Sequence, residues 1–279
     1  MTVEIDALAD TVPGYWRQHH VRVRRVPDLR SRERIRIYRA GAELTVLHDV
    51  RPDELCDDIA TLIADTLADP IEFELVFTGI VRSTVADAFT CWLLFYRNSM
   101  TRLRNGRANF APVHAHAESL VVGDRLIDLG SCFGFFPLRM AAAGTAVVAT
   151  DISAPTMTLL ARVAGHLGPR LDTIGCDAAR VPLPDGSADT VTVLHLIEHL
   201  SPEATVTVLT EALRLARRRV VVAVPFEDVP RTCYGHIQRF DTASLRRLGD
   251  LFPDRRIDVH EQHGGWLVLD QINPRLLAA

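Results

Sequence analysis

From residue 125 onward, short runs of apolar and β-branched residues alternate with runs of helical periodicity, and no other feature of the sequence constrains the fold as much. The strand-like runs are 125–129, 146–150, 171–175, 190–194 and 219–224; the helix-like runs are 137–143, 155–166, 202–216 and 242–251. Strand–helix–strand repetition predicts a parallel sheet with helices on both faces, because a parallel strand can be reached only by a crossover that packs on the sheet. Two further apolar runs, 258–263 and 266–270, are separated by Gly264-Gly265 and predict an antiparallel hairpin at the end of the chain. The expectation is an α/β fold: a seven-stranded, mostly parallel sheet closed by that hairpin.

Upstream the texture differs. Residues 34–47 alternate at period two around Ala40-Gly41-Ala42 and predict a β-hairpin. Leu55, Ile59, Leu62, Ile63 and Leu67 recur at helical spacing after Pro52, and 81–103 predicts a second helix ended by Asn105-Gly106. The chain therefore divides into an N-terminal α+β extension, residues 1–117, expected to cover the substrate mouth, and an α/β domain, residues 118–279. At 279 residues, 48% apolar and 24% charged, there is enough material for a well-formed core.

The strand 125–129 runs into Asp128-Leu129-Gly130-Ser131-Cys132-Phe133-Gly134, a glycine-punctuated turn at the place where open α/β sheets bind ligands. A nicotinamide dinucleotide is disfavoured there. Cys132 replaces the middle glycine of G-x-G-x-x-G, and Phe135 stands where the third would be. Asp151 ends the next strand, where a carboxylate can accept both hydroxyls of an adenosine ribose, although the same residue type commonly caps a following helix. Gly175-Cys176-Asp177-Ala178 closes the third strand.

These segments, written DLGSCFG, TDIS, GCDAARVPLPDGSADTV and LHLIEHL, resemble those of class I S-adenosylmethionine-dependent methyltransferases of the ubiquinone/menaquinone-biosynthesis type, over residues 118–271. The resemblance implies a Rossmann-like fold and S-adenosylmethionine as cofactor. It implies cofactor contacts from Asp128, Gly130, Ser131, Cys132 and Gly134 on the methionine side, Asp151 and Ile152 at the ribose, Cys176, Asp177 and Ala178 at adenine, and His195 after the fourth strand. Cys132 departs from the family's D-x-G-x-G-x-G and puts the path of the loop in doubt. The loop SCFGFFPLRM, the Arg-rich extension and the segment CYGHIQRFD resemble the methyltransferases of the mycofactocin pathway, which implies a hydroxyl of an oligosaccharide as acceptor.

An alcohol acceptor needs a base, and histidine is the usual one. His236 and His199 are the candidates, with His195 and Glu198 beside them. Tyr15, Trp16 and Tyr38, set among arginines, and Tyr234 and Arg239 around His236 are candidate contacts to a polar acceptor. His114 and His116, just before the first strand of the α/β domain, are equally readable as ordinary structural histidines.

His195-Leu196-Ile197-Glu198-His199 also spells the inverted zinc-peptidase motif, but it follows directly on a strand and a new helix starts at Pro202, so the long metal-bearing helix is missing. No metal is expected. The alternative is a metal-assisted methyltransferase of a quinone-like or other small acceptor, using His195, Glu198 and His199. A non-catalytic cofactor-binding module is a third possibility, against which the retention of Asp128, Asp151 and Asp177 speaks.

Five scattered cysteines without a CxxC spacing argue for neither a disulfide framework nor a cysteine zinc site. With an acidic, h-region-free start and no run near the roughly 18 apolar residues of a spanning helix, they predict a cytoplasmic protein. The net charge of −4 disfavours bulk nucleic acid, although nine arginines fall between Arg17 and Arg39; a solvated charged face is the plainer account of that run.

Overall fold

The computed structural model describes residues 7–8, 11–29 and 34–272. Most of the opening acidic segment, Arg30, Arg32 and Glu33 of the arginine-rich stretch, and residues 273–279 lie outside the described residues. Packing divides the chain into two units: Met1–Ala111 with Arg231–Gly235, and Pro112–Pro230 with His236–Ala279.

The first unit contains a four-stranded mixed sheet formed by β1 (Tyr15–Gln18), β2 (Val21–Arg25), β3 (Ile35–Ala40) and β4 (Glu43–His48), in the order β1-β2-β4-β3. The expected hairpin is β3 and β4, paired antiparallel; β2 and β4 run parallel. Alternation seals one face. Trp16, Val21, Val23, Leu44 and Val46 are buried, and β1 and β2 pack on α2 (Pro70–Thr84). The approach is so close that a Cβ on Gly79 would lie 2.3 Å from Val23 Cγ2. Asp69 and Asp87 cap α2 and α3 (Ala88–Arg104) by accepting from the N–H groups of Glu72 and Thr90. The single helix expected over 81–103 is thus two, broken at Val85 between these caps, and the helix expected over 52–67 shrinks to α1 (Ile59–Ala64).

The second unit follows the sequence closely. After α4 (Ala111–Leu120) come β5 (Arg125–Leu129), α5 (Phe135–Ala142), β6 (Ala146–Asp151), α6 (Ala154–Leu167), β7 (Asp172–Gly175), β8 (Ala188–Leu194), α7 (Pro202–Leu215), β9 (Ala216–Val224), α8 (Thr242–Gly249), β10 (Arg255–Glu261) and β11 (Gly265–Gln271). The strand order is β10-β11-β9-β8-β5-β6-β7, parallel except for β11, which pairs antiparallel with both β9 and β10. This is the expected mostly parallel seven-stranded sheet with its C-terminal hairpin. Val220, Val222 and Val224 of β9 face a core shared with α7 and α8; Val221 and Ala223 face one shared with α4 and α5. Helices therefore cover both sides, and the chain leaves β5 in one direction toward β6 and β7 and returns on its other side as β8. The C-terminal ends of β5 and β8 flank that switch point, the usual ligand crevice of an open α/β sheet. No helix among the described residues is long and apolar enough to cross a membrane.

Candidate active site

The loop after β5 is held open by backbone conformation. Gly130, Cys132 and Gly134 all have positive φ, at 70°, 48° and 70°, so the doubtful middle position keeps the left-handed path that a glycine would take. A non-glycine residue pays for this with strain on the order of 1–3 kcal/mol. At the other two positions a side chain would also have to displace a leucine: a Cβ on Gly130 would lie 2.8 Å from Leu196 Cδ1, and one on Gly134 would lie 2.3 Å from Leu160 Cδ2. Ser131 N–H donates to the Thr150 carbonyl (2.8 Å) and Gly134 N–H to that of Ser131 (2.7 Å), which aims the loop into α5.

Asp128 supports this loop from below. Its carboxyl is 3% exposed and accepts from Thr192 Oγ1 at 2.5 Å; burial pushes its pKa up to about 6. A side chain so enclosed braces the loop, and the Ser131 hydroxyl donates to the Asp128 carbonyl at 3.1 Å.

Asp151, at the end of β6, joins the loop to the next strand. Its Oδ2 accepts from Cys132 N–H and its Oδ1 from Ser153 N–H, both at 2.9 Å. Each carboxylate oxygen retains a second lone pair for a hydroxyl. The Asp151 carbonyl accepts from Cys176 N–H at 2.8 Å, so the ends of β6 and β7 lie side by side, with Asp177 exposed and its Oδ1 fixed by the Ala179 N–H at 2.8 Å. Ile152, 80% exposed, offers bare apolar surface beside these acids. A glycine loop, two strand-end acids and an exposed apolar side chain thus lie along the C-terminal ends of β5, β6 and β7.

Across the switch point, His195 leaves β8 with φ at 53°, and its Nδ1 lies 3.2 Å from Glu198 Oε1. Glu198 is fully buried in the 310 turn Ile197–His199, and its Oε2 has no hydrogen-bond partner. The Glu198 carbonyl accepts from the N–H groups of Ile237 (2.8 Å) and Gln238 (3.1 Å), while the Gln238 amide donates to the Ile197 and Leu200 carbonyls. These bonds tie the turn to the segment after β9 and bring His199 and His236 together, ring centres 4.8 Å apart. His236 is 8% exposed, and its Nδ1 lies 2.8 Å from Glu227 Oε2. Glu227 and Gln238 escaped the sequence reading: both sit in irregular segments, and their partners become neighbours only through backbone bonding. One ligand atom from each of Glu198, His199 and His236 lies within 4.8 Å of the others.

The acceptor candidates separate. Arg239 is exposed in the second unit and donates to the Asp228 carbonyl. Tyr15, Trp16, Tyr38 and Tyr234 belong to the first unit. Trp16 is 2% exposed on the buried side of the sheet, and this corrects its assignment: its ring is core and has no face to offer a ligand. Tyr234 packs edge-on against Phe73 at 5.2 Å. His114 is half-buried, and desolvation drives its pKa down to about 3; His116 is hydrogen-bonded to His260, Nε2 to Nε2, at 2.7 Å.

Residues 127–224, from within β5 to the end of β9, match a protein-family model described as a methyltransferase domain. A crystal structure of a protein from Pyrococcus horikoshii OT3 has the same fold, with a TM-score of 0.51 at 15% identity over 61% of this chain and 92% of that one. The magnesium protoporphyrin IX methyltransferase of Synechocystis PCC 6803 with bound SAM aligns with a TM-score of 0.44 at 19% identity, over 62% of this chain and 79% of that one. No curated protein matches the sequence. The second unit is accordingly a Rossmann-like methyltransferase domain. The match over residues 127–224 makes this chain a methyltransferase with S-adenosylmethionine as its cofactor.

Proposed function

We propose that this enzyme methylates a hydroxyl of a polar small molecule, a sugar such as that of a mycofactocin-type oligosaccharide. The observation that carries the reading is the Glu227–His236 pair beside His199. When bound, S-adenosylmethionine supplies an electrophilic methyl group on a sulfonium, and Asp151, Ile152, Cys176, Asp177 and the backbone of Gly130 to Gly134 are the groups that hold it. A hydroxyl is a poor nucleophile until its proton leaves. With Nδ1–H donated to Glu227, His236 presents Nε2 as the acceptor for that proton, and the carboxylate stabilises the imidazolium formed, as in other His–carboxylate pairs. Water exclusion follows from the burial of both His236 and Glu198. Tyr15, Tyr38, Tyr234 and Arg239 are assigned to acceptor recognition; their phenols and guanidinium suit a hydroxyl-rich molecule.

His236→Ala should lower kcat about a hundredfold or more, the usual contribution of a general base, while leaving cofactor affinity unchanged in a calorimetric titration. Unchanged turnover in both His236→Ala and His199→Ala would overturn the base assignment.

A second reading is favoured by one observation: Glu198, whose buried Oε2 has no hydrogen-bond partner, clusters with two imidazoles. A divalent cation there would supply Lewis acidity to the acceptor oxygen, with Glu198, His199 and His236 as its ligands. The base reading predicts that EDTA leaves methylation intact and that elemental analysis of the purified protein finds no stoichiometric divalent ion. Activity lost to EDTA and restored by magnesium or manganese would establish the cation instead.

A further inference from the structure

The sheet of the first unit has one face on α2 and one facing solvent, and the solvent face is not an ordinary mixture of charges. Pairing registers place its outward residues in two rows across the four strands. One row is Arg17, Arg22, Thr45 and Tyr38; the other is Tyr15, Arg24, Leu47 and Arg36. Among the described residues of the four strands the one acid is Glu43, 2.8 Å from Arg22. Arg17 and Arg24 are exposed, Tyr38 is 47% exposed, and Arg36 reaches the Tyr38 hydroxyl at 3.5 Å. Four arginines against one glutamate thus share a patch on a chain whose net charge is −4.

From these rows we infer that the outer face of this sheet binds a short acidic oligosaccharide, sugar rings carrying carboxylates. Guanidinium forks match planar carboxylates two bonds at a time, and each row sets a phenol among the forks, an amphipathic ring that can cover the C–H face of a pyranose while its hydroxyl bonds to the sugar. The size fits a short ligand: three interstrand spacings of about 4.8 Å make rows about 14 Å long, and the rows stand about 7 Å apart. A long polyanion such as nucleic acid would extend past this patch over a chain of net negative charge, where it gains nothing. The inference deepens the sugar reading above and rests on it for the choice of a pyranose; binding to the face can be measured without any methyl transfer.

The test is a calorimetric titration of the full chain with trigalacturonate at low salt, with maltotriose and a short single-stranded oligodeoxynucleotide as comparisons. Trigalacturonate should bind, weaken steeply with added salt, and lose at least tenfold in affinity in the R17E/R24E variant. Tyr38→Ala should lose severalfold without changing the salt dependence. Unchanged S-adenosylmethionine affinity in each variant verifies that the chain is folded. Equal binding of maltotriose, undiminished binding of trigalacturonate to R17E/R24E, or tighter binding of the oligonucleotide would each overturn the inference. Failure of the enzyme to methylate any sugar hydroxyl, with trigalacturonate binding intact, would count against the proposed reaction and not against this face.

Discussion

Cys132 concentrates the tension between sequence and site in one residue. It stands in the left-handed region with its N–H committed to Asp151, so its backbone performs what glycine performs at that position, with added strain. Cys132→Gly should therefore leave cofactor affinity within about threefold of the parent. Cys132→Val should lower it tenfold or more, because a β-branched residue meets the full penalty of this region, on the order of 1–3 kcal/mol, and tenfold is about 1.4 kcal/mol. Calorimetry on the three proteins checks both, and a tolerant valine variant would mean that the loop takes another path. Asp151, Asp177 and the two glycines were legible because their chemistry is local: a carboxylate at a strand end, a turn that needs positive φ. Glu227 was not, because its importance arises from a contact with His236 made across a loop.

At the scale of elements, the second unit was almost entirely legible, since parallel strands buried on both faces must be apolar and their helices must be amphipathic. The first unit was less so. The Val-Arg-Val-Arg alternation of β2 carries a period-two signal, but the run is short and charged, and β1 is only four residues long. Asp69-Pro70, an N-cap followed by proline at the first helical turn, marks the start of α2, a local signal weaker than the apolar run downstream. His48, at the end of β4, shows what such packing does to a titratable group. It is fully buried; its Nδ1 accepts from Val50 N–H, and its Nε2 bonds to Ser83 Oγ, whose own proton goes to the Gly79 carbonyl. Burial, aided by Arg25 and Arg34, lowers its pKa from 6.5 to about 3. The unfolded chain then binds the extra proton between those values, so this residue's contribution is intact above about pH 6.5 and is lost as pH falls toward 3, on the order of 1 kcal/mol per pH unit. His48→Asn should flatten the acid side of the stability profile by that slope in urea titrations at pH 7, 6 and 5; parallel profiles would show that His48 is protonated in the fold.

For the molecule as a whole, the methyltransferase assignment rests on the match of residues 127–224 and on the arrangement of acids and glycines at the strand ends that those residues form. Both describe the cofactor half of the reaction, which is why cofactor binding tests the account most directly. S-adenosylmethionine should bind the purified chain at one site in a calorimetric titration, and a nicotinamide dinucleotide should not compete. Asp151→Asn keeps the side chain's shape but removes its charge and one acceptor from the ribose hydroxyls, each such charged bond being worth about 1.5–3 kcal/mol, so affinity should fall at least tenfold. Parent-like affinity in Asp151→Asn, or displacement of S-adenosylmethionine by the dinucleotide, would contradict the site described here.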